Sequence, residues 1–224
     1  MSTQAPSHPY EFMHHLPPGS ILTLHDVNWA EYQDLLEAVG EAKGLRISFD
    51  EGTLQIMTLS SRHEKYTELI KMLITALSLT LRIRILFFGS VTMQKGRKKG
   101  NEPDACFYVQ SADLIGNRTD IDFATDPPPD VVVEVDVHHG SRQNFPIYAA
   151  LSVPEIWHYD ERSLRIYHLE DGQYVEAKAS LALPLLSGGK LTEYLNRSQK
   201  EDQYSILLDF EKWLKSLRKR HKSN

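Results

Sequence analysis

Two short segments in the N-terminal quarter of the chain alternate apolar with polar residues. In residues 45–49, Leu-Arg-Ile-Ser-Phe, every second side chain is apolar, and residues 54–57, Leu-Gln-Ile-Met, begin the same alternation. The Asp50-Glu51-Gly52 stretch between them has the composition of a turn. Because alternate side chains of a strand lie on opposite faces, this pattern predicts a β-hairpin with one buried face.

Helical spacing of apolar residues predicts four helices. The clearest begins at Ser61, where Ser61-Arg62-His63-Glu64 matches a capping box. Another helix is predicted from residue 25 to about 39, with Asp26 as its cap, and the remaining two at about 143–151 and 202–219. The helix at Ser61 carries one continuous apolar stripe: Tyr66, Leu69, Ile70, Leu73, Ile74 and Leu77.

Apolar runs between these helices predict further strands. The run Val131-Val132-Val133-Glu134-Val135 is rich in β-branched residues, which is typical of a strand covered on both faces. Strands and helices in this order predict an α/β protein of the α+β kind, with one mixed sheet flanked by helices. The other predicted strands cover residues 83–88, 105–109, 155–159, 164–169 and 174–177.

Length and composition predict one main domain. The chain has 224 residues, of which 41% are hydrophobic and 25% charged, and both fractions are ordinary for a globular protein. Residues 1–20, rich in Pro, His and Ser, are expected to be a flexible leader, and residues 21–198 the domain. Residues 199–224 are expected to form a C-terminal helix and a basic tail.

Three features predict a cytoplasmic protein without a membrane partner. The N-terminal segment lacks the basic and apolar regions of a secretory signal. No segment reaches the ~18 uninterrupted apolar residues of a membrane span. The single cysteine, Cys106, lies in an apolar run, which favours burial of the thiol in a reducing compartment.

The net charge of -5 argues mildly against indiscriminate nucleic-acid binding, but positive charge is concentrated in two places. Either cluster could contact phosphate, although a solvated loop or tail is the alternative for both. One is a glycine-flanked loop with Lys95, Arg97, Lys98 and Lys99. The other is the C-terminus, with Lys212, Lys215, Arg218, Lys219, Arg220 and Lys222.

Two carboxylates occupy positions where the pattern predicts burial. Glu134 interrupts the valine strand, and Asp104 precedes the apolar strand at 105–109. Carboxylates on neighbouring strands raise each other's pKa unless a metal neutralises both, and oxygen ligands suit Mg²⁺ or Mn²⁺. A metal site at Asp104 and Glu134 is therefore one interpretation. The alternative is a pair of salt bridges to nearby arginines: Arg82, Arg84 or Arg142.

His63 lies on the apolar stripe of the Ser61 helix, so its side chain is expected to point inward. Near a helix N-terminus the dipole favours an anion, and His63 could position a water or a phosphate there. The alternative is an ordinary half-buried histidine.

Six segments in this order carry a resemblance to a known family. They are LQIM at 54–57, SRHE at 61–64, GS at 89–90, EPDACFY at 102–108, PDVVVEVD at 129–136 and YAALSVPEIW at 148–157. The ordered set, from about residue 26 to about 196, resembles the Uma-two family. That bacterial family of endonuclease-like proteins belongs to the PD-(D/E)XK restriction-endonuclease-like superfamily.

The resemblance implies a restriction-endonuclease-like core and a set of site residues. By family analogy Asp104, Glu134 and the backbone carbonyl of Val135 would bind Mg²⁺ or Mn²⁺, and His63 matches the helix histidine of the family. The metal would polarise a phosphodiester and lower the pKa of an attacking water. The implied activity is a metal-dependent DNA endonuclease, and dimerisation is expected because cutting two strands suits two-fold symmetry.

The sequence departs from the family pattern at two positions. Asp136 stands where the motif lysine is expected, and Gln55 stands where the family often has glutamate. By the resemblance, the basic residue of many members comes from the helix that follows, near Asn144. Arg142 and Gln143 are the nearest polar substitutes here, and Arg142 could stabilise charge on a phosphate.

Three functional hypotheses follow from these residues. The first is a DNA endonuclease, attenuated by the missing lysine, with Asp104, Glu134, His63 and Arg142 at its catalytic site. The second is a catalytically degenerate nuclease fold that acts as a DNA-binding or regulatory homo-oligomer. The third is a structural homo-oligomer without a nucleic-acid role, which the negative net charge favours.

Overall fold

Two β-sheets and six α-helices make up the part of the chain that the structure, a computed structural model, describes: residues 16–40, 44–137 and 141–222, with side chains to residue 218. The sequence predicted a mixed α/β architecture, and this is confirmed. It predicted a single sheet, however, and the N-terminal strands instead form a sheet of their own. Most of the predicted leader, residues 1–15, lies outside the described residues.

The larger sheet has six strands and carries the main core. Its order is β11-β10-β9-β8-β7-β4, and only the β8–β9 pair is parallel. The valine run forms β8 near the centre, where every residue is buried as predicted. The strands are β4 (Leu86–Gly89), β7 (Ala105–Tyr108), β8 (Val131–Val135), β9 (Glu155–Tyr159), β10 (Leu164–Glu170) and β11 (Gln173–Ala177).

The smaller sheet has five antiparallel strands in the order β1-β3-β2-β6-β5. The predicted hairpin forms β2 and β3, and the basic loop forms a second hairpin, β5–β6, that the sequence analysis did not predict. The alternation places Ile47 and Ile56 against Tyr32 on one face of the sheet. The strands are β1 (Ile21–Leu24), β2 (Leu45–Asp50), β3 (Thr53–Thr58), β5 (Met93–Lys95) and β6 (Lys99–Asn101).

The helices bury the predicted apolar stripes. The stripe of α2 packs on the central strands of the larger sheet, in the same cluster as Leu191 and Phe210 from the last two helices. The short α4 follows a 3₁₀ turn at Ser141–Asn144. The helices are α1 (Trp29–Val39), α2 (Ser61–Leu81), α3 (Ala112–Ile115), α4 (Phe145–Ala150), α5 (Gly188–Arg197) and α6 (Gln203–Lys222).

Both predicted helix caps are displaced. The cap of α1 is Asn28, with the reciprocal Glu31 contacts of a capping box, because Asp26 has a positive φ of 60° in the turn before it. The cap of α2 is Ser60, whose hydroxyl accepts the His63 amide at 3.2 Å. Glu64 is therefore free of the capping role that the sequence assigned to it.

Helix α5 was not predicted, because its two opening glycines resemble a loop. Gly188 is buried where the helix contacts β10. Among the described residues, no helix is both long and apolar enough to cross a membrane.

The packing of α5 against β10 provides a test of the fold. A Cβ at Gly188 would lie 2.5 Å from the backbone oxygen of Leu164, whereas a Cβ at Gly189 would meet nothing within 4 Å. We expect Gly188→Ala to lower the free energy of unfolding by about 1–3 kcal/mol through overpacking. Gly189→Ala should leave it unchanged or raise it by at most about 1 kcal/mol. Urea denaturation measures both, and equal effects would contradict this placement of α5.

Candidate functional site

The two sequence-predicted carboxylates meet between the sheets. Asp104 immediately precedes β7, and its backbone amide donates to the carbonyl oxygen of Val133, next to Glu134 on β8. Only 3% of Asp104 and 4% of Glu134 is exposed. At that burial water cannot stabilise two negative charges, so their neutralisation falls to neighbouring groups or to a cation.

The two oxygens of Asp104 have different surroundings. Oδ2 accepts the backbone amide of Val135 at 2.7 Å and lies 2.9 Å from Nε2 of His63. Oδ1 is buried without a hydrogen-bond partner, and Nε of Arg46 lies 3.4 Å from it. The Arg46 Nε also lacks a hydrogen-bond partner, so the two atoms face each other with only electrostatic attraction between them. A buried carboxylate oxygen in this state can still accept a ligand.

Glu134 is held by neutral hydrogen-bond donors. Its Oε1 accepts the hydroxyl of Tyr148 and, at 3.3 Å, the side-chain amide of Asn101. Burial and, secondly, the negative charge of Asp104 raise the pKa of Glu134 well above its ordinary value. The Tyr148 pKa is also raised by burial and by Glu134, so the phenol remains a donor. Without a metal ion, burial and the charge of Asp104 therefore favour the protonated form of Glu134 more than that of an exposed glutamate.

His63 is buried at the N-terminal end of α2, as its position on the apolar stripe predicted. Its Nε2 is directed at Asp104, and Nδ1 lies 3.5 Å from a carboxylate oxygen of Glu64. Neither nitrogen has a hydrogen bond of good geometry, so these contacts are mainly electrostatic. Burial lowers the pKa of His63, but Asp104 and Glu64 together outweigh burial and raise it. A protonated His63 then compensates part of the charge of Asp104.

Arg46 is a permanently charged cation of this site that was not predicted from the sequence. It lies on β2, on the face of the smaller sheet opposite the Tyr32 core, together with Ser48 and Gln55. This face borders the Asp104–Glu134 cavity. The signal was present in the sequence, since Arg46 is one of the polar positions of the alternating strand. Only the pairing of the sheets shows that these positions face a site instead of solvent.

The other predicted residues are near the site but differently engaged. Asp136, at the motif-lysine position, contacts Nε2 of His158 at 2.6 Å and accepts the amide of Ser141. Arg142 does not line the cavity: it donates to the hydroxyl of Tyr167 at 2.5 Å and stacks on that ring.

Neutral amides occupy the wall where a basic residue was expected. Gln143 lines the cavity, and its amide donates to Gln55. Asn144 lines it as well. Nor do the predicted arginine salt bridges to the two carboxylates form, since Arg84 pairs with Asp113 and Arg142 with Tyr167.

A small divalent cation is compatible with the residues present. The cavity between Asp104 and Glu134 has a volume of about 30 Å³, enough for a water-sized ligand. Within the described ranges, no three His, Cys, Asp or Glu side chains converge to hold an ion. Two carboxylates with water and phosphate as the remaining ligands are the common arrangement for Mg²⁺. Oδ1 of Asp104 accepts no hydrogen bond and faces only Arg46, so it retains lone pairs for such a ligand.

The raised pKa of Glu134 predicts a dependence of stability on pH. Because the native state binds this proton more tightly than the unfolded state, Glu134 costs stability as pH rises from its ordinary pKa through the raised value. In a chelating buffer, Glu134→Gln should therefore stabilise the protein above neutral pH, on the order of 1–3 kcal/mol, and have little effect near pH 4. Thermal unfolding between pH 4 and 9 measures the difference.

Glu155 provides the matched control. It is equally buried, but its oxygens accept the indole N–H of Trp157 and the backbone amides of Leu181 and Ala182. A glutamine there would direct an –NH₂ at N–H donors, so Glu155→Gln should destabilise the protein throughout the range. If Glu134→Gln also destabilises the protein above neutral pH, the native state stabilises the ionised form of Glu134. The raised pKa of Glu134 would then be wrong.

Comparisons with known proteins identify the family and support the fold. A family model described as Uma2, "Putative restriction endonuclease", matches residues 29–196, about three quarters of the chain. No curated protein matches the chain. Among solved structures, the chain is similar to "a putative nuclease belonging to DUF820" from Anabaena variabilis ATCC 29413, with 15% sequence identity and a TM-score of 0.53. That alignment covers 75% of this chain and 99% of the other. Because the family model spans well over half of the chain, this protein belongs to the Uma2 family, and it shares the restriction-endonuclease-like fold.

Proposed function

We propose that this protein is a divalent-metal-dependent DNA endonuclease, with Mg²⁺ or Mn²⁺ held by Asp104 and Glu134. One observation carries the proposal: a buried carboxylate oxygen of Asp104 that accepts no hydrogen bond shares a small cavity with Glu134, whose pKa is raised well above its ordinary value. Both features are costly for folding and both are relieved by a cation. Membership of the Uma2 family supports the same class of activity.

Each neighbouring residue has a distinct task in this proposal. His63 and the Val135 amide hold Oδ2 of Asp104, which leaves Oδ1 for the ion. Tyr148 and Asn101 fix Oε1 of Glu134 in the same way. A bound divalent ion would supply positive charge to a phosphodiester and its attacking water. The backbone carbonyl of Val135 is a further ligand by family analogy.

Arg46 is the group that we propose for stabilising negative charge on the phosphate. It is the arginine nearest to Asp104, and its side chain is 17% exposed, so it can reach a ligand in the cavity. Once a metal ion neutralises Asp104, Arg46 is no longer needed there and its guanidinium can bind a phosphate oxygen. Arg142 was the candidate from sequence, but its contacts with Tyr167 make it less suited to the role.

A second candidate is a catalytically degenerate nuclease fold that binds DNA or acts in regulation as a homo-oligomer. The observation that favours it is the absence of a lysine from the described cavity wall, where Asp136, Gln55 and Gln143 are instead bonded to protein groups. The fold does not decide between the two candidates, because activity depends on the site.

The proposed setting follows from the sequence. A homodimer suits cleavage of both strands of a duplex, since two-fold symmetry relates the two cuts. The buried, free Cys106 suits a reducing compartment such as the cytoplasm. Sedimentation velocity of the purified protein, with and without DNA, tests the dimer.

The first test of the proposed function is metal binding by calorimetry in Mg²⁺ and Mn²⁺. We expect wild type to bind one ion per site and Asp104→Asn to lose binding, because the variant removes the charge while keeping the shape. Cleavage of plasmid DNA should fall at least about 100-fold in Asp104→Asn and in Glu134→Gln. Binding that survives in Asp104→Asn would place the ion elsewhere. Binding without cleavage on any substrate would favour the degenerate fold.

The second test separates the two arginines. Arg46→Ala should lower kcat for DNA cleavage by about 10²-fold, the scale of losing one group that stabilises transition-state charge. Arg142→Ala should retain cleavage, with at most a modest loss of thermal stability from the Tyr167 contact. Arg46→Lys keeps the charge without the planar fork, so partial activity is expected. The opposite ranking of the two alanine variants would restore Arg142 as the phosphate-binding residue.

A further inference from the structure

The β5–β6 hairpin carries positive charge that its own fold does not use. Its turn exposes Lys95, Arg97 and Lys98, and none of the three forms an ion pair within the described part of the chain. Lys99 differs, because Asp50 and Glu51 on the neighbouring β2–β3 turn hold its ammonium group. Lys95, Arg97 and Lys98 therefore have no acidic partner among the described residues.

The hairpin leads directly to the candidate site. Strand β6 ends at Asn101, whose side-chain amide contacts Glu134 at 3.3 Å. At about 3.3 Å per residue, Lys99 and its partner Lys95 lie roughly 7 Å from Asn101 along the strands. Because phosphates of one DNA strand recur every ~3.4 Å along the helix axis, this spacing corresponds to about two nucleotides of a duplex that lies along the strands.

The two strands also direct side chains towards the site. Residues two apart share a face of a strand, so Lys99 lies on the same face as Asn101. The pairing places Lys95 opposite Lys99 and Met93 opposite Asn101. Met93 is fully buried against residues of the larger sheet, including Tyr148. The face with Lys95 is therefore the one that adjoins the Asp104–Glu134 cavity. Arg97 and Lys98 lie in the turn beyond it, where they line an open recess with Trp29 and Phe49 on the α1 side of the sheet.

The other basic cluster is at the far end of the molecule. Arg218 on α6 donates to the backbone oxygen of Thr80, near the C-terminus of α2. His63 marks the opposite end of that helix, and at 1.5 Å per residue the two ends are about 25 Å apart. Arg218 is therefore farther from the site than the described residues of the hairpin are.

We propose that the β5–β6 turn binds the sugar–phosphate backbone of DNA, with Lys95 about two nucleotides from the phosphate at Asp104 and Glu134 and with Arg97 and Lys98 in contact with the strand beyond it. This inference rests on the proposed function, since it takes DNA as the substrate. The contacts are with phosphates and carry no base specificity. Their contribution to affinity is therefore electrostatic and falls steeply with salt.

The experiment compares two triple variants with equal loss of charge. In the hairpin variant, Lys95→Gln, Arg97→Gln and Lys98→Gln are combined. In the control, Lys212→Gln, Lys215→Gln and Arg218→Gln are combined on α6. Fluorescence anisotropy gives the affinity of each full-length protein for a labelled 30-base-pair duplex between 50 and 250 mM salt. Ca²⁺ replaces Mg²⁺, and a denaturing gel confirms that the duplex stays intact. The slope of log affinity against log salt is the quantity compared.

We expect the hairpin variant to lose about 2–3 from the wild-type slope, at about 0.9 per phosphate contact, and the control to lose less than about 1. Lys95→Gln alone should lose about 1, which gives a second measurement if the triple variant unfolds. An unchanged slope in the hairpin variant, or equal losses in both triple variants, overturns this inference while DNA binding stands. Wild type that binds no duplex overturns the proposed DNA substrate and the inference with it.

Discussion

Asp104 and Glu134 bring two carboxylates into one buried cavity, and the electrostatic cost of that pair determines the surroundings of both. Neither can be fully ionised at low cost, so His63 and Arg46 oppose the charge of Asp104 while Glu134 shifts towards its protonated form. The cavity is nevertheless incompletely satisfied, since Oδ1 of Asp104 has no hydrogen-bond donor. A core selected only for stability would more simply place apolar side chains here, because such pairs are often no more stable than their hydrophobic replacements. The incompletely satisfied pair is consistent with the cation site proposed above.

The smaller sheet is what makes this cavity possible. Its alternating strands bury Ile47, Ile56 and their neighbours under α1, and the same alternation directs Arg46, Ser48 and Gln55 to the opposite face. That polar face lines the cavity that also contains Asp104 and Glu134 of the larger sheet. The one hairpin therefore provides both part of a hydrophobic core and a wall of the site. A slip of one residue in its register would exchange the two faces and place Ile47 against the carboxylates. The register of β2 and β3 is thus a requirement of the site as well as of the fold.

Sequence reasoning identified the parts whose position depends on local pattern. The hairpin, the stripe of α2 and the valine strand were predicted from periodicity, and Asp104, Glu134 and His63 stood out as polar residues in apolar company. Arg46, Asn101 and Tyr148 were missed, because each lies in a segment that is unremarkable by itself and reaches the site only through long-range pairing of strands. Arg142 was wrongly expected in the site because it follows Glu134 closely in the sequence. In the structure its guanidinium donates to Tyr167 on β10 instead. Residue type and local periodicity thus indicate which residues could belong to the site. The pairing of the strands determines which of them come together.

The missing motif lysine has a structural explanation that bears on the choice between an active and a degenerate enzyme. Asp136 contacts His158 on β9 and accepts the amide of Ser141, so this position now anchors the start of the 3₁₀ turn that leads into α4. Gln143 then bonds to Gln55, and this neutral pair connects the turn to the smaller sheet across the cavity. Neutral amides thus form this wall of the cavity, and Arg46 provides positive charge from the adjacent strand of the smaller sheet. The described cavity therefore has a positively charged side chain even without the lysine, and the active and the degenerate enzyme differ in whether Arg46 can bind the phosphate in its place.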